Sequence, residues 1–371
     1  MALLSSIGDS VNDTYWLEKP MAKSFDNKRI LITGGTGSLG QVLARRLLSG
    51  VHGLPESVTV FSRDEAKQHY MRLDFMERAT ATDEVIYQNS KQRLRFVIGD
   101  VRDYASVSRV LANADIVFAA AALKQVPSCE YYPWEAVRTN IEGAENIVRS
   151  IAEHGYPVET VVGISTDKAC LPVNVMGMTK AIQERVYIDG NLRAPNTRFI
   201  AARYGNVLAS RGSVVPLFLD QIAAGGPVTI TTPEMTRFLL TLEDAVDTIV
   251  AAVESAAPGE TYIPQCPSAN MVDLADVLIG DKQIEKVITG IRPGEKIHEA
   301  LLSAEESTRT VNGAKGYYAL RPMVPELAGP VVAPALEGAY VSSQTVMTRD
   351  ELSDFLRTRI PDVIGATYLN A

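Results

Sequence analysis

The residues best equipped for chemistry fall in two short runs, Ser165-Thr166-Asp167-Lys168 and Met176-Gly177-Met178-Thr179-Lys180. A hydroxyl, a carboxyl and an amine stand side by side in the first, and a second amine ends the other. Successive side chains alternate direction along a strand, so Thr166, Asp167 and Lys168 converge on one ligand only where a strand gives way to a loop. By composition alone, Asp167 beside Lys168 is an ordinary surface ion pair. Met176 can do no proton chemistry, because a thioether has no ionisable proton. It also suits a packing role.

A second kind of chemistry is written in Thr33-Gly34-Gly35-Thr36-Gly37-Ser38-Leu39-Gly40. The run lies between a short apolar segment and an amphipathic one. In a strand–turn–helix setting such glycines let backbone N–H groups approach a pyrophosphate at the helix N-terminus. Gly34, Thr36, Gly37, Ser38, Leu39 and Gly40 are therefore candidate dinucleotide contacts; a purely structural glycine turn is the alternative. The next strand ends Val60-Phe61-Ser62-Arg63. An NAD site places a carboxylate there for the ribose 2′-hydroxyl, whereas Ser62 and Arg63 suit a 2′-phosphate, which favours NADP. Asp64 and Glu65 follow at once and weaken that contrast. Farther on, Asp100 and Val101 suit an adenine contact. The small residues Ala120, Ala121 and Ala122 let the chain pass close to a cofactor. Lys124 suits phosphate or substrate, or simply solvent.

These groups need a scaffold, and the pattern supplies one. Apolar strands at Arg29–Thr33, Ser57–Phe61, 95–98, 115–119, 160–164 and 199–203 alternate with helical stretches such as 136–153 and 179–190. That alternation predicts an α/β fold, a doubly wound parallel sheet of Rossmann type. Residues 1–27 read as an N-terminal extension carrying Tyr15 and Trp16, and 28–208 as the NADP-binding domain. A helix over 241–256 returns to that domain. Residues 209–240 and 257–347 read as a smaller substrate-binding lobe. A C-terminal helix and tail over 348–371 opens at the capping pattern Thr348-Arg349-Asp350-Glu351. With 371 residues, 46% of them hydrophobic, the chain can bury a large core. A net charge of −8 argues against nucleic acid or an anionic membrane as the main partner. Cys129, Cys170 and Cys266 are scattered without metal-ligand spacing, which predicts no metal site and a reducing compartment. No apolar run approaches the roughly 20 residues that span a bilayer, and the N-terminus lacks signal-peptide features. A soluble, cytoplasmic protein is expected.

Six ordered runs carry a family resemblance. They are Ser62-Arg63-Asp64-Glu65, Ala120-Ala121-Ala122-Leu123-Lys124-Gln125-Val126-Pro127, Ser165-Thr166-Asp167-Lys168-Ala169, the stretch from Arg203-Tyr204-Gly205-Asn206 to Ser213-Val214, Met235-Thr236-Arg237-Phe238 and Arg292-Pro293-Gly294-Glu295-Lys296. Together they resemble the UDP-N-acetylglucosamine 4,6-dehydratases of surface-polysaccharide synthesis, within the extended short-chain dehydrogenase superfamily. The likeness runs from about Phe25 to Ser307. Met176 stands where that superfamily usually carries the Tyr of Tyr-x-x-x-Lys, which resembles the 5-inverting branch of capsule synthesis; Gln125 fits the same branch.

The resemblance implies tightly bound NADP that is recycled in each turnover: oxidation at C4 of the sugar, loss of water across C5 and C6, return of the hydride to C6, and inversion at C5. It implies Thr166 on the C4 oxygen, Asp167 as the acid at C6 and Lys168 as the base at C5. That last role asks for a lowered pKa, which burial near the cofactor and Lys180 would favour. Lys180 would hold the nicotinamide ribose. With Met176 in place of Tyr, Lys180 or Lys168 is left to deprotonate the C4 hydroxyl. Asn206, Ser213, Val214 and Pro216 resemble nucleotide-sugar contacts, as does Lys124. Arg237, Arg292 and Glu295 resemble the diphosphate and uridine anchors, although either Arg could instead form a structural salt bridge. A UDP-sugar is the implied partner, and a homo-oligomer, a hexamer by family likeness, the implied assembly. A retaining dehydratase, a 4-epimerase or a non-catalytic NADP sensor on the same scaffold are the alternatives.

Overall fold

Strand β1 (Arg29–Thr33) is buried from Ile30 onward because it runs through the middle of a sheet covered on both faces. The computed structural model describes residues 24–75, 93–208 and 213–361. Tyr15 and Trp16, residues 209–212 of the fourth family run and the tail from 362 lie outside the described residues.

Parallel neighbours of β1 are β2 (Ser57–Ser62) on one side and β4 (Ile116–Ala119) on the other. Strand β3 (Leu94–Ile98) lies beyond β2. On the far side of β4 come β5 (Thr160–Thr166), β6 (Arg198–Tyr204) and β10 (Thr261–Pro264), all parallel. The order β3-β2-β1-β4-β5-β6-β10 reverses direction between β1 and β4. A doubly wound sheet binds ligands at that switch point, beyond the carboxyl ends of its strands. Alternation sorts the two faces. Ile30, Ile32, Val58, Phe118 and Val162 pack under α1 (Ser38–Leu48). Leu31, Val117 and Val161 face α3 (Tyr104–Leu111) and the helix Gly143–His154 on the other side. Helix α2 (Glu65–Phe75) follows β2.

Between β4 and β5 the chain forms α4 (Val126–Tyr131), α5 (Pro133–Ala136), a π-helical stretch at Val137–Glu142 and α6 (Gly143–His154). The single helix expected over 136–153 is thus interrupted. Helix α7 (Val175–Arg193) is longer than the expected 179–190, because Asn174 caps it by accepting from the Gly177 N–H. The remaining helices are α8 (Val214–Ala223), α9 (Leu242–Ser255), α10 (Met271–Ile279), α11 (Ala304–Ser307) and α12 (Arg349–Arg359). Both α9 and α12 begin at capping boxes, Thr241 with Asp244 and Thr348 with Glu351.

The division at 257 is not followed by the sheet. β10 joins the main sheet, and β14 (Thr310–Asn312) and β15 (Tyr317–Leu320) extend it antiparallel. Each of these strands is only three or four residues long, too short for periodicity to separate from loop. A second core gathers Val215, Phe218, Ile230, Leu274 and Leu278 with Leu352 and Leu356 of α12, so that helix is part of this layer. Small sheets pair β8 (Val228–Ile230) with β12 (Lys286–Ile288), β7 (Asn206–Val207) with β9 (Thr236–Leu240) and β11 (Ser268–Asn270), and β13 (Ala300–Leu302) with β16 (Tyr340–Val341). Among the described residues, no helix is long and apolar enough to cross a membrane.

Candidate active site

The glycine turn fits a dinucleotide. Gly34 has φ +66°, and a Cβ there would stand 2.7 Å from Ala121 Cα. Only glycine lets the turn after β1 touch the chain leaving β4. Gly37 occupies the N-cap of α1 without any side-chain cap, and no acidic residue lies in the first turn. The exposed N–H groups of Ser38 and its neighbours therefore remain available to an anion. Beside them lies a cavity of about 230 Å³ lined in part by Gly34, Thr36, Ser62, Arg63, Asp100 and Ala122.

The rim of that cavity carries cations. Arg63 is exposed and 3.7 Å from Asp100, and Lys67 also lines the space. Asp64, which weakens the preference for NADP in the sequence, also lines the cavity and is paired to the start of α2. Its Oδ1 accepts from the Lys67 N–H at 3.0 Å, and Lys67 Nζ lies 2.8 Å from its Oδ2. Ser62 is buried and its Oγ accepts from Gln68 Nε2 at 3.0 Å. Asp100 is gripped by Arg102, whose Nη2 reaches it at 2.6 Å. Val101 is buried against the start of α6. Lys124 is exposed at the mouth of the loop after β4 and makes no ion pair among the described residues.

β5 ends at Thr166, and a 3₁₀ turn over Asp167–Ala169 follows. That break solves the problem of direction. Asp167 is fully buried; its Oδ1 accepts from Thr166 Oγ1 at 2.8 Å and from Lys168 Nζ at 3.1 Å, while Oδ2 is buried without a partner. Lys168 Nζ also donates to Asn206 Oδ1 at 3.1 Å. The pair is not the ordinary surface ion pair that composition suggested.

Glu299 completes the cluster, and no local run announced it. It is buried, with Oε1 3.6 Å from Lys168 Nζ and 3.9 Å from Arg237 Nε, and Oε2 3.9 Å from Lys296 Nζ. Lys168 departs from the lowered pKa expected of it. Burial does press it down, but the carboxylates of Asp167 and Glu299 outweigh burial and leave it raised. Lys180 is the amine that burial depresses, to about 8. Its Nζ donates to the Ile164 carbonyl and to Gln183 Oε1.

Met176 lies elsewhere. It packs with Cys129 and Ala136, under Leu123 and Val126. Just behind it, Asn140 in the π stretch holds the Leu123 backbone through Oδ1 and Nδ2 and donates to Thr179 Oγ1 at 2.9 Å. Asn140 thus ties the loop after β4 to α7. A π-bulge is a frequent mark of function, but only the folded chain exposes it.

Arg237 does not present a free fork for a diphosphate. Nη1 donates to the carbonyls of Thr236 and Ile297 at 2.7 and 3.0 Å, and Nη2 to that of Lys296 at 3.0 Å. Those bonds hold β9 against the 296–298 segment beside it. Arg292 is exposed and Glu295 Oε2 is buried without a partner, as is Ser213 Oγ at the N-cap of α8. Val214 and Pro216 are half-buried in the first turn of that helix. Gly294 O accepts from Asn174 Nδ2 at 2.9 Å, and Lys296 Nζ donates to Cys170 O at 2.6 Å, which seats the Arg-Pro-Gly-Glu-Lys loop over the start of α7.

A family described as polysaccharide biosynthesis protein matches residues 30–321. A UDP-glucose 4-epimerase of Rickettsia conorii is 42% identical over 299 residues, 79% of this chain and 83% of that one. Its counterpart in Rickettsia prowazekii is 43% identical over 300 residues, with the same coverage. Among solved structures, Pen from Bacillus thuringiensis superimposes with a TM-score of 0.80 at 32% identity, over 91% of this chain and 99% of that one. The dTDP-glucose 4,6-dehydratase DesIV from Streptomyces venezuelae, with NAD and TYD bound, shares the fold at a TM-score of 0.61 and 21% identity, over 89% and 96%. The chain belongs to the polysaccharide biosynthesis protein family, among relatives that are nucleotide-sugar enzymes.

Proposed function

We propose that this family member is a 5-inverting 4,6-dehydratase of UDP-N-acetylglucosamine that works with tightly bound NADP. The carrying observation is the Thr166–Asp167–Lys168 cluster, a buried carboxyl and an amine 3.1 Å apart in addition to the separate buried amine of Lys180. A 4-epimerase needs proton transfer only at the C4 hydroxyl. Elimination of water across C5 and C6 needs an acid and a base as well.

Bound NADP would supply the hydride acceptor at C4 and the donor at C6. The remaining work falls to side chains. Thr166 would orient the C4 oxygen. Lys180, neutral above about pH 8, would take the C4 hydroxyl proton that no Tyr is present to take. The resting Asp167–Lys168 ion pair becomes the required acid and base by one internal transfer. Moving a proton from Nζ to the carboxylate yields a neutral amine for C5–H and a neutral carboxylic acid for the departing C6 hydroxyl. Exclusion of water by a bound sugar favours the neutral pair over the ion pair. The orphaned Asp167 Oδ2 is an acceptor that a substrate hydroxyl can use.

NADP rather than NAD is supported by Arg63 and Lys67 at the cavity rim; the Asp64 carboxylate beside them is neutralised by Lys67. A nucleoside diphosphate is supported by exposed Arg292 and Lys124 and by the unpartnered Ser213 Oγ, while the unpartnered Glu295 Oε2 can accept from a hydroxyl or N–H of the nucleoside. The second reading is a 4-epimerase, favoured by the name of the Rickettsia relatives. Incubation with UDP-N-acetylglucosamine separates the two. Loss of one water from the sugar nucleotide with an inverted C5 by NMR is the expected result. Unchanged mass with inversion at C4 would establish epimerisation; an unconsumed substrate would sink the dehydratase, and UDP-glucose left unconsumed as well would sink the epimerase.

A further inference from the structure

Glu299 is anchored as firmly as any residue of the cluster. Its N–H donates to Ser342 Oγ at 3.0 Å and its carbonyl accepts from the Ser342 N–H at 2.8 Å, which fixes the backbone against the turn after β16. Its carboxylate, buried in the interior, meets three cations and accepts no hydrogen bond through Oε2. A carboxylate held away from water is kept charged only by such neighbours. The family run Arg292–Lys296 stops short of it, so neither the resemblance nor local sequence assigns it a role.

We propose that Glu299 is a positioning residue for Lys168, pinning its amine against Asp167 and governing whether that amine carries a proton. The inference rests on Lys168 being the base of the proposed reaction. The groups facing Lys168 come from several elements. Thr166 and Asp167 belong to its own strand end and turn, Asn206 to β7, Arg237 to β9 and Glu299 to the segment before β13, with Lys296 on Glu299's far oxygen. Asp167 can exchange a proton with Lys168 and then act as the acid. Glu299 stands at 3.6 Å and contributes charge. It opposes the internal transfer that makes Lys168 neutral, so proton abstraction waits until a bound ligand has displaced water from the pair. In the empty enzyme the base is held charged and inert.

The test reads the amine directly. In NADP-loaded protein labelled with ¹⁵N-lysine, the Lys168 side-chain nitrogen is followed from neutral pH upward, with K168R to assign the signal. E299Q removes the charge, and the midpoint should fall by about 1–3 units, the range typical of one nearby opposite charge. E299D keeps the charge but withdraws it by one methylene, and should move the midpoint the same way by less. If E299Q does not fold, E299D alone decides. Melting curves establish folding in each case. Midpoints unmoved from wild type in the folded variants would overturn the proposal. The titration needs no turnover, so failure to dehydrate UDP-N-acetylglucosamine would remove the proposed reaction without touching this result.

Discussion

Two amines twelve residues apart in sequence end in opposite electrostatic settings. Lys180 is surrounded by backbone and amide groups, so burial dominates and its pKa falls to about 8. Lys168 is surrounded by carboxylates, which reverse the effect of burial. If Lys180 deprotonates the C4 hydroxyl, its neutral fraction falls tenfold for each pH unit below about 8, and turnover should follow that slope. K180M should reduce kcat by ~10²–10⁴-fold, the usual scale for a general base. Unchanged turnover in a folded K180M protein would exclude the role. Met176 contributes volume alone, so M176L, a volume-conserving change, should cost under about 1.5 kcal/mol in denaturant unfolding and leave kcat within a few-fold. The local run places Thr166, Asp167 and Lys168 together because these neighbours in sequence are also neighbours in space, whereas Asn206 joins them from β7. Glu299 was not legible, since its partners reach it from distant strands.

Helix α7 shows how an element places a catalytic group. Its third residue lies so close to the 3₁₀ turn that a Cβ on Gly177 would stand 2.2 Å from the Lys168 carbonyl oxygen, a backbone atom that cannot swing aside. G177A must therefore push α7 and the turn apart. We expect a loss of about 1–3 kcal/mol in denaturant unfolding, as for other overpacked sites, together with a larger fall in kcat than in cofactor affinity. Equal losses in kcat and NADP affinity would mean that the whole domain, rather than the turn, had yielded. The sequence reading began α7 at Thr179, past Gly177; close approach to Lys168 explains a glycine at that position. The alternation of apolar strands and amphipathic helices made the parallel sheet legible. The short strands β10, β14 and β15 carry too few residues to show a period, and their place in the sheet follows from tertiary contacts.

Across the whole molecule, one buried ionic triad joins the sheet to α7 and α11. Arg203 on β6 bonds Glu184 of α7 at 2.7 and 2.9 Å and Glu306 of α11 at 2.9 Å, and also donates to the Leu301 carbonyl. Burial alone would raise the Glu306 carboxyl, but the Arg203 guanidinium overcomes it and holds the group near 2. A depressed carboxyl stabilises the fold above its unfolded value of 4.5 and ceases to do so as pH falls toward about 2. R203M should leave two buried carboxylates unpaired and cost about 3–5 kcal/mol, and its acid unfolding should lose the transition in that window. An unaltered acid limb would show that the triad does not link pH to folding. Arg203 was visible in a family run, yet its partners were not, as they lie on α7 and α11.

Arg237 and Lys296 fasten the Arg292–Lys296 loop through main-chain oxygens, those of Thr236, Ile297, Lys296 and Cys170. Moorings of that kind are blind to the identity of the side chains they hold. Arg292 and Glu295 can therefore be exchanged during divergence while the loop keeps its seat, so a lineage can vary the chemistry of that loop one residue at a time, without first relearning how to fold.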